Sequence, residues 1–193
     1  MKIIFATNNK NKVEEIKHLS HQKFEIFTLQ EVGIDIDIPE PHDTLEANAT
    51  EKSSTIYKLT NEAVFSEDTG LEVEALGGAP GVKSARYAGE GRNMQDNIDK
   101  LLAELNNKPS RAARFRTVVS LIIGGKEYQF EGICNGHITT EQDGTNGFGY
   151  DPIFIPEGSN TTFANMDISE KNKFSHRKKA VQQLIDFLND YEA

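Results

Sequence analysis

The first residues of the chain combine an unbroken apolar run with a helical pattern that follows it almost at once. Residues 3–6 are all apolar, which is typical of a strand buried in an α/β sheet. After a polar turn at residues 7–12, apolar side chains recur at Val13, Ile16 and Leu19, the three-residue spacing of one helix face. These features predict a strand, a turn and a helix, the unit from which α/β folds are built.

The rest of the sequence continues the alternation of strands and helices. Strand patterns cover residues 24–29, 63–66, 71–75, 114–123 and 127–139. Helical patterns cover residues 45–56, 94–105 and 178–188, and Asp43 or Thr44 is placed to cap the first of them. Gly124-Gly125 predicts an antiparallel hairpin, so the sheet is expected to be mixed. Because no repeat, low-complexity segment or linker interrupts residues 1–193, we expect one domain, or two closely packed lobes.

Composition and charge restrict the partners of the chain. The longest apolar stretch, residues 118–123 with Ser120 as an interruption, is far shorter than a membrane span, and the apolar start is too short for a signal peptide. The net charge of −9 argues against a general binder of nucleic acid or anionic membranes, but it permits a small phosphate-bearing ligand held by local cations and a metal. The single cysteine, Cys134, cannot form an internal disulfide, which fits a reduced compartment. We therefore expect a cytoplasmic protein.

The turn at residues 7–12, TNNKNK, has the properties of a phosphate-binding loop. Backbone N–H groups at a helix N-terminus and the positive end of the helix dipole attract phosphate. Asn8, Asn9 and Asn11 tolerate the left-handed conformations that such loops need, and Lys10 and Lys12 add positive charge. The alternative is an ordinary polar turn in which an asparagine caps the helix.

Two adjacent acids follow the strand pattern at residues 63–66. Glu67 and Asp68 precede Thr69-Gly70, and at a strand end they would lie where open α/β sheets bind ligands. Mg²⁺ is commonly held by one or two carboxylates together with substrate phosphates. An ordinary aspartate titrates near ~3.9, so we expect Asp68 to be an anion that suits a metal well and a base only modestly. The alternative is an acidic hairpin turn.

A glycine-rich segment at residues 147–152 contains two aromatic residues. The glycines beside Phe148 and Tyr150 allow the backbone to approach a flat ligand and leave an aromatic face available for stacking. The commoner alternative is a tight turn with both aromatic residues in the core.

A basic cluster precedes the last helical pattern. Lys171, His176 and Arg177 are suited to donate hydrogen bonds to base carbonyls or phosphates, and Ser175 is placed to cap the helix. The alternative is a solvated basic turn. Each motif alone is ambiguous, but together they supply a phosphate loop, a metal pair, a stacking ring and a donor cluster, which are the parts of a nucleoside triphosphate site.

The same segments resemble a known family. ATNNKNK, EDTGLEVEALGGAPGVKSARYAGE, GFGYDPIF and FSHRKKA are similar, in this order, to motifs of the inosine/xanthosine triphosphate pyrophosphatases, which clear non-standard purine nucleotides. The resemblance implies an elongated α/β fold, with a mixed twisted sheet flanked by helices and two lobes around a central nucleotide-binding cleft. It also implies a homodimer and Mg²⁺-dependent hydrolysis of ITP, dITP or XTP to the nucleoside monophosphate and pyrophosphate.

The resemblance further implies roles for individual residues. Asp68 is expected to orient or deprotonate the attacking water, and Glu40, Glu67 and Asp68 to hold the metal. Lys52 matches a substrate lysine of the first long helix, and Thr69 lies beside the substrate. The other expected substrate contacts are Thr7, Asn8, Asn9, Lys10, Asn11, Lys12, Phe148, Gly149, Tyr150, Asp151, Lys171, His176 and Arg177.

Two segments depart from the family pattern. Asn8 and Asn11 stand where glycines are usual, and asparagine is the mildest replacement for a glycine with positive φ, so we expect the loop to keep its conformation. In the first long helix Ala47 replaces a usual glutamate. Glu46 cannot take over its role, because a shift by one residue rotates a side chain by about 100° around the helix.

Two other functions are compatible with the sequence. A pyrophosphatase of related fold could act on pyrimidine or modified nucleotides, although Phe148 and the Ser175-His176-Arg177 motif favour purines. A non-catalytic nucleotide- or RNA-binding module is disfavoured by the net charge of −9 and by the acid pair, since carboxylates beside phosphates require a metal.

Overall fold

The structure is a computed structural model that describes residues 1–17 and 24–191. The strands are β1 (Lys2–Phe5), β2 (Glu25–Thr28), β3 (Val64–Val73), β4 (Pro80–Gly81), β5 (Ala112–Ile123), β6 (Lys126–Ile138) and β7 (Phe154–Pro156). The α-helices are α1 (Lys10–Lys17), α2 (Leu45–Thr60), α3 (Met94–Glu104), α4 (Ile168–Lys171) and α5 (His176–Asp190). Short 3₁₀ helices cover Glu74–Leu76, Ser84–Arg86, Asp151–Ile153 and Phe163–Asn165.

The strands form a mixed sheet in the order β2-β1-β3-β5-β6-β7, and β4 pairs with β3 outside this path. β1 is parallel to β2 and β3, whereas β4 is antiparallel to β3 and β7 is antiparallel to β6. Gly124 and Gly125 join β5 to β6 and both have positive φ, as a two-residue hairpin turn requires. The predicted α/β fold with a mixed sheet is confirmed.

The chain divides into two compact units. Unit 1 comprises Met1–Asp68, Thr117–Gly132 and Arg177–Ala193, and unit 2 comprises Thr69–Arg116 and Ile133–His176. The divisions fall inside β3, β5 and β6 and after the first residue of α5. Three strands therefore contribute residues to both units.

In unit 1 helices cover both faces of the sheet, which explains the apolar run at residues 3–6. Ile3 and Phe5 pack with apolar residues of α1 and α5, whereas Ile4 and Ala6 pack with Ile56 of α2. Successive residues of a strand point to opposite faces, so a strand covered on both sides is apolar at every position.

The core of unit 2 is built around the second half of β3 and helix α3. Leu71 and Val73 pack with Leu101 of α3 and with Phe154 of β7. The side chain of Asn93 accepts hydrogen bonds from the first backbone N–H groups of α3 and so determines where this helix begins.

The predicted helices and the hairpin are confirmed, with boundaries shifted by a few residues. Thr44, and not Asp43, caps α2, because its hydroxyl accepts a hydrogen bond from the N–H of Ala47. Leu19, which was assigned to the first helix, lies outside the described residues. None of the helices in residues 1–17 and 24–191 has the length and apolar character that crossing a membrane requires.

Candidate functional site

The adjacent acids Glu67 and Asp68 do not end a strand, contrary to the prediction. β3 runs without a break from Val64 to Val73, so both acids and Thr69-Gly70 lie in its interior. Glu67 is 1% and Asp68 is 6% exposed, which also excludes an acidic hairpin turn. The sequence pattern was misleading because an interior strand accepts polar residues wherever neighbouring elements supply partners for them.

Gly70 marks a close approach of two strands, and not a turn. A Cβ at this position would lie 2.6 Å from the carbonyl oxygen of Gly81, which belongs to β4. Only glycine leaves room for the antiparallel pairing of β3 with β4 at this point.

Asp68 shares a lysine with a second carboxylate. Nζ of Lys52 donates to Oδ1 of Asp68 at 3.2 Å and to Oε1 of Glu40 at 2.5 Å. Oδ2 of Asp68 is buried and has no hydrogen-bond partner within the described part of the chain. Two carboxylates around one ammonium group leave an excess of negative charge. Oδ2 of Asp68 can in addition accept a hydrogen bond or coordinate a cation.

Burial raises the pKa of the Asp68 carboxyl above its ordinary value, although the ammonium groups of Lys52 and Lys12 act in the opposite direction. Burial alone would lower the pKa of Lys52, but the carboxylates of Asp68 and Glu40 outweigh it and raise this pKa. Lys52 therefore remains an ammonium ion at neutral pH. The expectation of an ordinary Asp68 was wrong, since its surroundings make the carboxylate a stronger base.

Glu67 has a different set of neighbours from Asp68. Its Oε1 lies 3.2 Å from Nζ of Lys12 and accepts a hydrogen bond from Nε of Arg177 at 2.9 Å. Nη1 of Arg177 in turn pairs with Glu15 of α1. Burial alone would lower the pKa of Arg177, but Glu67 and Glu15 outweigh it and raise the pKa. These four side chains form an ion-pair chain that links α1, β3 and α5 within unit 1.

Arg177 lies in the first turn of α5, and not before the helix as predicted. Its side chain is 2% exposed, so the alternative of a solvated basic turn is excluded for this residue. Its predicted contact with the substrate remains a prediction.

The turn between β1 and α1 is present as expected, and Lys10, Asn11 and Lys12 already form the first turn of α1. The alternative of an asparagine that caps the helix holds for Asn9. Oδ1 of Asn9 accepts hydrogen bonds from the N–H of Asn11 at 3.0 Å and of Lys12 at 3.3 Å, so Asn9 caps α1. The side-chain amide of Asn8 donates to the carbonyl of Ile36 at 2.8 Å. Asn8 and Asn11 are not among the described residues with positive φ. Neither asparagine is strained, because no left-handed conformation is required at these positions.

A pocket of about 310 Å³ adjoins this loop in unit 1. Thr7, Asn8 and Lys10 line it together with Thr28 and Glu31. The carboxylate of Glu31 accepts hydrogen bonds from the N–H and the hydroxyl of Thr28, at 2.7 and 2.9 Å. Sequence reasoning did not single out Thr28 and Glu31, since a strand end and the turn after it show no distinctive pattern.

In unit 2 the two aromatic residues of the glycine-rich segment have different surroundings. Tyr150 is 4% exposed within the core, and its hydroxyl donates to the carbonyl of Ser84 at 2.9 Å, so the core alternative holds for this residue. Phe148 is only half-buried and lies outside the core cluster. Of the two rings, that of Phe148 is therefore the more exposed.

A buried ion pair holds the backbone of Phe148. Oδ2 of Asp151 accepts hydrogen bonds from Nζ of Lys171 at 2.7 Å and from the N–H of Phe148 at 2.9 Å. Nζ of Lys171 also lies 5.3 Å from the ring centroids of both Phe148 and Phe163. A Cβ at Gly147 would lie 2.1 Å from Oδ2 of Asp151, so glycine is required there. Asp151 and Lys171 thus hold Phe148 in place.

Other predicted residues of unit 2 are placed by neighbours that the sequence did not reveal. His176 is 3% exposed and stacks on Phe115, with ring centroids 4.7 Å apart and planes inclined by 10°. The N–H of Gly149 donates to Sδ of Met94 at 3.1 Å. Thr69 is half-buried within β3.

The predicted site residues divide between the units. Unit 1 holds Thr7, Asn8, Asn9, Lys10, Asn11, Lys12, Glu40, Lys52, Glu67, Asp68 and Arg177. Unit 2 holds Thr69, Phe148, Gly149, Tyr150, Asp151, Lys171 and His176. Sequence reasoning missed Glu15, Ser84, Met94 and Phe115. Glu15 alone had a detectable pattern, because it follows Lys12 by three residues on one helix face.

The groups around Asp68 fit a hard divalent cation. Within residues 1–17 and 24–191 no three His, Cys, Asp or Glu side chains converge as a ready-made metal cluster. Mg²⁺ does not require one, since one or two carboxylates suffice when phosphates complete the coordination. Glu40 and Asp68 meet this condition, because they carry excess negative charge and Oδ2 of Asp68 is buried without a hydrogen bond. Glu67 fits less well, since its Oε1 already faces two cationic groups.

Sequence comparisons relate the chain to proteins of known family. The model of the Ham1 family matches residues 3–187. The chain is 52% identical to a dITP/XTP pyrophosphatase of Porphyromonas gingivalis, over 97% of either chain. It is 50% identical to a dITP/XTP pyrophosphatase of Flavobacterium johnsoniae, over 97% of this chain and 98% of the relative.

Solved structures show the same relationship. The Ham1 protein of Staphylococcus aureus superimposes with a TM-score of 0.89 at 38% identity, covering 98% of both chains. A HAM1 protein of Coxiella burnetii superimposes with a TM-score of 0.90 at 33% identity, covering 99% of this chain and all of the other. Sequence and fold agree over almost the full length, and this chain therefore belongs to the Ham1 family.

Proposed function

We propose that the chain hydrolyses the non-standard purine nucleoside triphosphates ITP, dITP and XTP, with Mg²⁺, to the nucleoside monophosphate and pyrophosphate. Close relatives in P. gingivalis and F. johnsoniae carry the name dITP/XTP pyrophosphatase. This nucleoside triphosphate pyrophosphatase would remove mispairing purines from the nucleotide pool.

The buried carboxylate of Asp68 carries the proposal. A purely binding module has no use for a buried carboxylate oxygen without a hydrogen bond, since such a group is costly to leave unsatisfied. A hydrolase has a use for it, because the same oxygen can take the proton of an attacking water. The raised pKa of Asp68 suits this role.

In the proposed reaction the oxygen of a water molecule forms a bond to the α-phosphorus while the bond to the bridging oxygen breaks. Asp68 takes a proton from the water, and the bond electrons leave with pyrophosphate. Lys10 and Lys12 bind phosphate oxygens, and the positive end of the α1 dipole adds to the attraction. Glu40 and Asp68 would hold Mg²⁺ together with the phosphates of the substrate, and the ion would supply charge neutralisation and make the attacking water more acidic.

The residues of unit 2 are suited to the base. The half-buried ring of Phe148 offers a stacking face, and Lys171 and His176 offer hydrogen-bond donors. Hypoxanthine and xanthine carry a keto oxygen where adenine carries an amino group. These donors would donate hydrogen bonds to the keto oxygen, whereas the amino group of adenine would face them donor to donor. A buried polar mismatch reduces kcat/KM by up to ~10⁴ or more, so ATP should be a very poor substrate.

The test is to incubate the purified chain with ITP, dITP, XTP, ATP and a pyrimidine triphosphate, with and without Mg²⁺. Pyrophosphate and orthophosphate are measured separately. We expect pyrophosphate from ITP, dITP and XTP only, and only with Mg²⁺. Release of orthophosphate would overturn the proposed bond cleavage, a preference for the pyrimidine would favour the related pyrophosphatase, and ITP binding without turnover would favour a binding module.

We also propose that the chain forms a homodimer and acts in the cytoplasm. The support is the resemblance of its motifs to a dimeric family and the single cysteine, which fits a reduced compartment. Light scattering should give twice the chain mass of 21.5 kDa. A mass of one chain at micromolar concentration would contradict the dimer.

A further inference from the structure

Glu67 was expected to bind the metal, but its surroundings suit a different task. Its side chain is fully buried, and Oε1 is in contact with both Nζ of Lys12, at 3.2 Å, and Nε of Arg177, at 2.9 Å. A divalent cation at this oxygen would be repelled by two positive charges at close range. The oxygen is instead an acceptor around which two cationic side chains are arranged.

The two cations differ in what they can reach. Arg177 is 2% exposed, and Glu15 and Glu67 hold it from α1 and β3. Lys12 is 15% exposed and lies in the first turn of α1, at the positive end of the helix dipole. Of the two, Lys12 is therefore the one placed to contact a phosphate.

A lysine ammonium is a point charge on a flexible four-carbon stem. Fixing its position on binding costs conformational entropy, and this cost is smaller when a partner already holds the ammonium group. Glu67 is such a partner, since it lies on a central strand and is itself held by Arg177 of α5. We propose that Glu67 is a positioning residue, and not a metal ligand, that holds Lys12 where the phosphate chain of the substrate binds. This inference rests on the proposed function for the identity of the substrate.

The inference separates the roles of two adjacent acids. Asp68 touches the reacting groups, whereas Glu67 acts through Lys12. Loss of Glu67 should therefore weaken the binding of phosphate groups without changing the requirement for Mg²⁺.

The experiment uses inorganic tripolyphosphate as a probe, because it needs neither a purine base nor turnover. Its Kd is measured by calorimetry without Mg²⁺ for the wild type, Glu67→Gln, Lys12→Gln and the double variant. We expect Glu67→Gln and Lys12→Gln each to weaken binding on the order of tenfold, the loss of one charge-assisted contact. In the Lys12→Gln background, Glu67→Gln should change Kd by less than about twofold, because both substitutions remove the same contact.

Additive effects in the double variant would overturn the inference, as would an unchanged or tighter Kd for Glu67→Gln. Failure of the wild type to bind tripolyphosphate would also overturn it. Glu62→Gln, an exposed acid just before β3 in the same unit, is the charge control and should leave Kd unchanged.

A second measurement addresses the metal. The Mg²⁺ concentration for half-maximal hydrolysis of ITP should be the same in Glu67→Gln as in the wild type, while KM for ITP rises more than kcat falls. A rise of tenfold or more in the required Mg²⁺ would show that Glu67 is a metal ligand. If Glu67→Gln fails to fold, Glu67→Asp keeps the charge with a shorter reach and should show a smaller loss in the same assays.

A chain that binds tripolyphosphate in the expected pattern but does not hydrolyse ITP would contradict the proposed function and leave the role of Glu67 supported.

Discussion

Asp68 and Glu67 are neighbours in the chain, but the structure surrounds them with different groups. Asp68 shares Lys52 with Glu40 and keeps one oxygen without a hydrogen bond in the described residues, whereas Glu67 faces Lys12 and Arg177. Successive side chains of a strand point to opposite faces, so adjacent residues meet different elements. One acid is thereby suited to chemistry and the other to arranging cations.

The first prediction concerns Asp68→Asn. The proposed base is lost, so kcat for ITP should fall by at least ~10² to 10⁴ while KM changes little. The pKa of Asp68 is higher in the folded chain than its ordinary value of 3.8, so between these two pKa values the folded chain binds more protons than the unfolded chain. The stability of the fold therefore falls as pH rises through this range. Asparagine removes this cost, so Tm at pH 7 should not decrease.

Pyrophosphate release and thermal melting on the same protein check this prediction. Asp99→Asn, an exposed aspartate of α3, is the control and should preserve both properties. Near-normal turnover by a folded Asp68→Asn protein would contradict the assignment of Asp68.

The second prediction compares two phenylalanines that lie at the same 5.3 Å distance from Nζ of Lys171. Phe148 is half-buried, and its ring should stack on the base, so Phe148→Ala should weaken substrate binding by about 1–3 kcal/mol with little loss of Tm. Phe163 is 1% exposed in the core of unit 2, so Phe163→Ala should lower stability by about 3–5 kcal/mol.

KM for ITP and Tm, measured on both variants, distinguish a ligand contact from a core contact. A Phe148→Ala protein with a lower Tm and an unchanged KM would place Phe148 in the core.

At the scale of elements, β3 decides where the candidate site lies. The strand continues through residues 67–70, where the sequence predicted a break between two strands. It does so because α2 and α5 supply partners for the two acids, and because the close approach of β4 requires a glycine at Gly70. The chain thus carries buried charges through the middle of a sheet. Such charges persist only when each has a partner, and here the partners come from elements distant in sequence.

A second polar group, on the hairpin, links α2 to the sheet. Glu127 of β6 accepts hydrogen bonds from Thr50 of α2 at 2.6 Å, from Ser120 of β5 at 2.7 Å and from Gln129 at 3.2 Å. Burial alone would raise the pKa of the Glu127 carboxyl, but these hydrogen bonds outweigh it and lower the pKa.

The third prediction follows from that lowered pKa. The ionised carboxylate of Glu127 stabilises the fold above the ordinary pKa of 4.5, and this contribution is lost as pH falls through the lower folded value. Glu127→Gln should therefore lower Tm at pH 7. The decrease should be on the order of 1–2 °C, because solvent weakens the contacts of an exposed carboxylate, and the difference in Tm between variant and wild type should vanish at lower pH. Thermal melts from pH 3 to 8 provide the measurement, and a difference that is independent of pH would contradict the role of ionisation.

At the scale of the whole molecule, the two units have separate cores and separate kinds of candidate residue. Unit 1 contributes carboxylates and lysines, which suit phosphate and metal, and unit 2 contributes Phe148 with its donors, which suit a base. The net charge of −9 still permits a small phosphate-bearing ligand, because Lys10 and Lys12 supply local positive charge at residues 7–12. Ham1 relatives share this fold and most of its length.

Much of this protein was determined by the sequence alone. The apolar run at residues 3–6, the hairpin glycines and the helical spacings specify the α/β fold, because they reflect local periodicity and local backbone geometry. The motifs also predicted the candidate site residues, because they record residue types that a nucleotide requires, and the contacts of these residues with a substrate remain predictions. The tertiary structure alone decided that β3 continues through Asp68, that Phe148 and not Tyr150 presents its ring, and that Glu67 pairs with Lys12 and Arg177. These outcomes depend on partners that are distant in sequence, and burial and pKa are properties of those partners as much as of the residue itself.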